Sequence, residues 1–172
     1  MKRAALILAS AAALAATDVG AATGPVVRVD GRVGPFRIDV TTEAQIRALA
    51  GKPDRVVNRF FPPSKTPVGR TLYYGCGAGC RTAYSINAAT GRLSDFESSA
   101  PRFITERGSH VGMPAGKAAR LEGRKLVPGC GNGLYLHLRW DQHHTFVVTT
   151  WRGKVEEIIY LGSHSVYYDG LC

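Results

Sequence analysis

From Leu134 to Trp140 the chain alternates, with Leu134, Leu136, Leu138 and Trp140 on one side of an extended segment and Tyr135, His137 and Arg139 on the other. A period of two is the mark of a half-buried strand. A second strand is predicted over residues 145–151 and a third over 154–161, with Arg152-Gly153 as the turn between them. The first half offers the same sequence of elements at residues 70–74, 81–86 and 93–97, and Gly91-Arg92-Leu93 echoes Gly153-Lys154-Val155.

Ahead of each strand set the period changes to that of a helix. Over residues 42–53, Ile46, Leu49 and Ala50 share one helical face. Thr42 caps the start, with Gln45 placed to reach back in a capping box. Gly51 supplies a left-handed end, and Pro53 blocks continuation. A shift of 72 residues, from Leu49 to Leu121, puts Pro114 on Thr42, Lys117 on Gln45, Ala118 on Ile46 and Gly123 on Gly51. The expectation is an α+β fold of two tandem units, 23–100 and 101–172, each a short helix followed by an antiparallel three-stranded sheet. The segment 98–107, with Pro101, joins them and enters the second unit through Phe103 and Ile104. One helix covers only part of a sheet, so the two units are expected to pack together.

Thr42-x-x-Gln45-Ile46-x-x-x-x-Gly51-x-Pro53, and Val111-Gly112-Met113 before the second helix, resemble the helix-opening motif of the SmpA/OmlA (BamE-like) envelope proteins. The duplicated arrangement is similar to that of the secreted β-lactamase inhibitor proteins. The resemblance implies a small tandem α/β fold that binds another protein, inhibitor-like, outside the cytoplasm. It rests on about a dozen residues in each half and on strand order, and by itself fixes no activity. The chain departs from the BamE-like pattern in having no cysteine to carry a lipid near its N-terminus.

Export is read from the first 22 residues. Lys2 and Arg3 precede an apolar stretch from Ala4 to Ala16 with Leu6, Ile7, Leu8 and Leu14, followed by small residues suited to cleavage after Ala21 or Ala22, or earlier after Ala15. The stretch is too short to cross a bilayer, which takes about 20 apolar residues. Localisation is therefore expected to be secreted or periplasmic, with no transmembrane segment in the mature chain. Cleavage removes Lys2, Arg3 and Asp18, so a formal charge of +9 becomes +8. Such a charge draws a protein toward anionic envelope polymers, while export argues against nucleic acid.

An even number of cysteines in an exported chain argues for disulfides. Cys76, Cys80, Cys130 and Cys172 allow three pairings. The flexible Gly77-Ala78-Gly79 spacer favours a local Cys76–Cys80 bridge, leaving Cys130 with Cys172; zinc is the rival for the Cys76-x-x-x-Cys80 spacing.

The densest polar cluster is His137, Asp141, His143 and His144, around the bend of the second unit's hairpin. Imidazole and carboxylate suit zinc, but His143 and His144 are adjacent and point apart if extended. No Gly-x-Ser-x-Gly elbow is present, and Ser109-His110 and Ser163-His164-Ser165 place hydroxyls beside imidazoles in sequence only. Glu156 and Glu157 sit in the last strand on opposite faces, as charges guarding an edge. The glycines at 75, 77, 79, 129, 131 and 133 surround cysteines and do not open a helix as a phosphate loop does. Tyr73, Tyr74, Tyr84, Trp140, Trp151, Tyr160, Tyr167 and Tyr168 lie mostly on the strands, as core or as a recognition surface. The reading is a non-catalytic module with no cofactor that binds an extracytoplasmic protein through Trp140, Asp141 and His143. The alternative is a secreted hydrolase or metal-dependent enzyme using His137, Asp141, His143 and His144.

Overall fold

A computed structural model of the chain describes residues 24–129 and 132–166. The expected signal peptide, Cys130, Gly131, Tyr167, Tyr168 and Cys172 lie outside them. In the described residues an N-terminal meander of β1 (Val26–Val27), β2 (Arg32–Val33) and β3 (Phe36–Arg37) leads into helix α1 (Glu43–Ala50). Strands β4 (Arg55–Phe60), β5 (Pro67–Gly75), β6 (Arg81–Asn87) and β7 (Leu93–Ser98) follow. After β8 (Ile104–Thr105) and helix α2 (Ala115–Glu122) come β9 (Val127–Pro128), β10 (Leu134–Trp140), β11 (Thr145–Trp151) and β12 (Lys154–Leu161).

The long strands form one eight-stranded sheet in the order β4-β5-β6-β7-β12-β11-β10-β9, and the short ones a four-stranded sheet, β3-β2-β1-β8. The expected α+β arrangement of two helix-plus-three-strand units is thereby corrected. The fold is mostly β, each helix has eight residues, four strands of the large sheet follow each helix, and β7 pairs directly with β12 so that one sheet runs through both halves. Period-two alternation locates strands but not their neighbours, so the pairing that fuses the halves leaves no trace in either half alone.

Cross-strand register explains the core. Leu72, Tyr84, Phe96, Tyr160 and Phe146 stand side by side on β5, β6, β7, β12 and β11. The next row on that face is Tyr74, Thr82, Ser98, Ile158, Val148 and Leu136, all buried. Over this inner face lie the small sheet and both helices. Phe36 meets Tyr84 edge-on at 5.3 Å, Phe103 packs on Phe96 at 5.0 Å, and Ile46 of α1 is fully buried.

Helix α1 starts as its sequence dictates. The Gln45 backbone N–H donates to the Thr42 hydroxyl, the Gln45 side chain accepts from the Thr42 N–H at 2.9 Å, and Gly51 ends the helix at φ 84°. Leu49, expected on the buried face, is instead 67% exposed. In α2, Ala118 is buried and Gly123 takes the left-handed conformation, but Pro114 offers no side-chain cap.

Candidate interaction site on the hairpin tip and outer sheet face

Alternation along β10 predicts Trp140 on the same side as Leu136 and Leu138. A β-bulge between His137 and Arg139 reverses this: Arg139 comes opposite Phe146 on the inner face, and Trp140 opposite Thr145 on the outer one. Arg139 then donates to the Tyr160 hydroxyl at 3.1 Å and to the Val29 carbonyl at 3.0 Å. Trp140 emerges 66% exposed, with the His137 ring edge-on at 4.7 Å and Tyr135 beyond it.

The turn that follows is held by Asp141. Its carboxylate accepts from the His143 N–H at 2.9 Å, from the His144 N–H at 2.8 Å and from the Arg139 guanidinium. The Arg139 hydrogen bond, followed by those N–H donors, keeps Asp141 well below the usual carboxylate range. The four residues of the alternative, metal-dependent reading do not share one face. His137 lies on the outer face, its pKa lowered by desolvation. His144 turns inward against Tyr160 at 5.9 Å, and His143 is exposed. Among the described residues no group of three or more His, Cys, Asp or Glu side chains is placed to hold a metal ion.

A hydroxyl, a carboxylate and an imidazole do meet beneath this turn. The Ser163 hydroxyl donates to Asp39 at 2.7 Å, and His144 Nε2 lies 3.4 Å from the same oxygen. The carboxylate occupies the middle position, where nucleophilic catalysis needs the base. Ser109 is fully buried and His110 pairs through Nδ1 with the Val111 carbonyl at 3.0 Å, while His164 presents its own carbonyl to Asn87.

The outer face joins Tyr73, His137 and Glu157 to polar groups that the sequence did not single out, Arg55, Arg59, Arg81 and Glu97. Across it run Arg55, Tyr73, Ala83, Glu97, Ile159, Val147 and His137. The Arg55 guanidinium lies 4.6 Å above the Tyr73 ring, and Arg59 donates to the Tyr73 hydroxyl at 2.7 Å. Arg81 bonds Glu97 and reaches Glu157 at 3.4 Å. Burial and the neighbouring Glu97 push Glu157 up to about 7. Asp95, 1% exposed, is pushed up to about 6 by burial, although Ser94 and the Val166 N–H donate to it. The signal available was the polar alternation of β6 and β7. The edge-guarding role expected of Glu156 and Glu157 is corrected, since β12 is an interior strand between β7 and β11.

Cys76 and Cys80 form the expected disulfide, with Gly77 at φ 110° and Gly79 at φ 74° making the bend. Cys130 and Cys172 lie outside the described residues. Of the aromatic residues, Tyr74, Tyr84 and Tyr160 are core, whereas Trp140 and Trp151 are exposed.

No protein-family model matches this chain, and no curated protein matches it significantly. Among solved structures, the chain is similar to the uncharacterized protein yfeY from Escherichia coli at TM-score 0.51 and 16% identity, over 81% of this chain and 99% of that one. A weaker likeness, TM-score 0.45 at 8% identity, is to an extracellular protein containing an SCP domain from Bacillus anthracis. It covers 72% of this chain and 43% of that one. The first likeness shows a shared fold; neither supplies an activity.

Proposed function

We propose that this chain is an exported, non-catalytic module that binds another extracytoplasmic protein through the β10–β11 hairpin, in the manner of an inhibitor whose hairpin enters a partner's cleft. The observation that carries the reading is Trp140. A bulge turns it off the core side, His137 braces its ring, and the Asp141 turn fixes its backbone, so its large apolar surface is presented at little further entropic cost. Exposed, rigid aromatic anchors are the residues that dominate interfaces. Asp141 and His143 would form the polar rim. Export is supported by the charged start and apolar run of residues 1–22, and among the described residues no helix is long and apolar enough to cross a membrane. The element order of helix then four strands of the large sheet in each half supports descent from a tandem repeat.

Capture from periplasm or culture fluid, followed by calorimetry with the isolated partner, tests the reading. Trp140→Ala should weaken binding by about 1 kcal/mol or more without moving the melting temperature, and a chelator should change neither quantity. Stoichiometric zinc, lost with binding on His143→Ala, would favour the metal-dependent alternative.

A further inference from the structure

Among the described residues some cations are matched by a carboxylate, and others, Arg37, Lys52, Arg55, Lys65, Arg92 and Arg102 among them, form no ion pair. Arg28, Arg32, Arg47, Arg70, Arg81 and Arg139 each pair with a carboxylate. Several of the unpaired ones lie around α2. Lys117, Arg120, Arg124, Lys125 and Arg152 are all exposed, and among the described residues none forms an ion pair. Lys117, Arg120 and Leu121 share one stripe of the helix, and Arg124 and Lys125 follow just past the left-handed Gly123 that ends it. The opposite face, Ala115, Ala118 and Glu122, is buried. Glu122, the acid nearest in sequence, is turned inward, where it accepts from the Thr105 hydroxyl. The β11–β12 turn adjoins the start of the helix, because the Ala115 N–H donates to the Gly153 carbonyl at 2.9 Å and Pro114 bridges Lys154. Arg152 therefore belongs to the same end of the molecule.

We infer that this patch, Lys117, Arg120 and Leu121 of the helix, Arg124 and Lys125 just after it, and Arg152 beside it, is a docking surface for an anionic lipid bilayer. Unneutralised charge on a folded surface calls for an anionic counterpart, and each cation held near an anionic membrane raises affinity roughly fivefold. Leu121 decides between a bilayer and a soluble polyanion. It is 38% exposed in the middle of the cationic patch, where an apolar side chain adds nothing to a purely ionic contact but enters the headgroup boundary of a membrane. Long Lys and Arg stems can lie along the same boundary with their charges at the phosphates.

The test is co-sedimentation of the purified exported protein with vesicles of phosphatidylcholine, alone or mixed with phosphatidylglycerol. Binding should require the anionic lipid and fall as salt rises. Lys117→Glu/Arg124→Glu should reduce binding more than about tenfold, whereas Lys52→Glu/Lys65→Glu, with the same change in net charge, should alter it by less than about threefold. Lys117→Gln/Arg124→Gln should give an intermediate loss, and melting curves establish that each variant is folded. Leu121→Ser should lower vesicle binding roughly threefold and leave binding of inorganic polyphosphate unchanged. Equal binding to neutral vesicles, equal losses in the two charge-reversed variants, or no effect of Leu121→Ser on vesicles would each overturn the inference.

Discussion

Asp95 sits in the middle of the sheet, where Ser165, the Val166 N–H and Ser94 donate to its carboxylate. Desolvation outweighs the donors, so its folded pKa, about 6, lies above the ordinary value near 4. The folded state then binds the proton more readily than the unfolded chain. Between roughly pH 4 and pH 6 stability falls as pH rises, and the cost is fully present above that window. Glu157, raised to about 7 on the same face, acts in the same direction. Asp95→Asn keeps an acceptor oxygen for its donors and removes the charge. It should raise stability by on the order of 2 kcal/mol at pH 8 and by little at pH 4, read from denaturant titrations across that range. A gain at pH 4 as large as that at pH 8 would show that the carboxylate is not the cause. Neither the burial of Asp95 nor the outward turn of Trp140 was legible in the sequence. The facing of Trp140 depends on the bulge between His137 and Arg139, which inverts what alternation predicts, whereas Asp95 keeps the facing that alternation with Phe96 predicts and is buried where Val166, 71 residues on, bonds it.

Elements were most legible where local chemistry alone defines them. Thr42 and Gln45 close both halves of a capping box, and Gly51 ends the helix, with no help from the rest of the chain. Thr42→Ala should therefore cost about 1 kcal/mol, measurable as a lower denaturation midpoint at unchanged slope. The Cys76–Cys80 bridge is likewise local. Its short loop limits the chain-entropy contribution to about 2 kcal/mol, so reduction should lower the melting temperature modestly and leave a cooperative transition. Complete unfolding on reduction would contradict that small role. The strands β5–β7 and β10–β12 were found from alternation or from strand-forming runs between turn residues, although β6, β7 and β11 are buried on both faces over most of their length. Strand β4 was missed because none of its six residues is buried: Val56 and Val57 are adjacent, and at the sheet edge Val56 stays 42% exposed. The two-residue strands β1, β2, β3, β8 and β9 are too short to show any period.

At the scale of the whole molecule, the sequence suggested two units side by side, and the structure binds them through backbone. Ile158–Leu161 of β12 pairs with Asp95–Ser98 of β7, and β1 pairs in parallel with β8 across the expected boundary near residue 100. Side chains follow the same paths: Phe103 on Phe96, Tyr160 to the Val29 carbonyl, Ser163 to Asp39. Separating residues 23–100 from 101–172 would expose β7 and β12, interior strands that display a full row of unpaired N–H and C=O groups when open. It would also strip the covering from Tyr84 and Phe96. Each fragment is of the size at which a single core is already marginal. Neither should fold alone, giving poor amide dispersion and no cooperative melt, and mixing them should restore both as the β7–β12 ladder re-forms. A cooperative transition in the 23–100 fragment by itself would mean that the halves are separate domains and that the shared sheet is a contact between them. An undivided sheet also has a geometric consequence: the helical layer with its cationic patch and the outer face flanked by Trp140 are held on opposite sides of one body. Docking through α2 would then leave the hairpin directed away from the membrane and open to a partner.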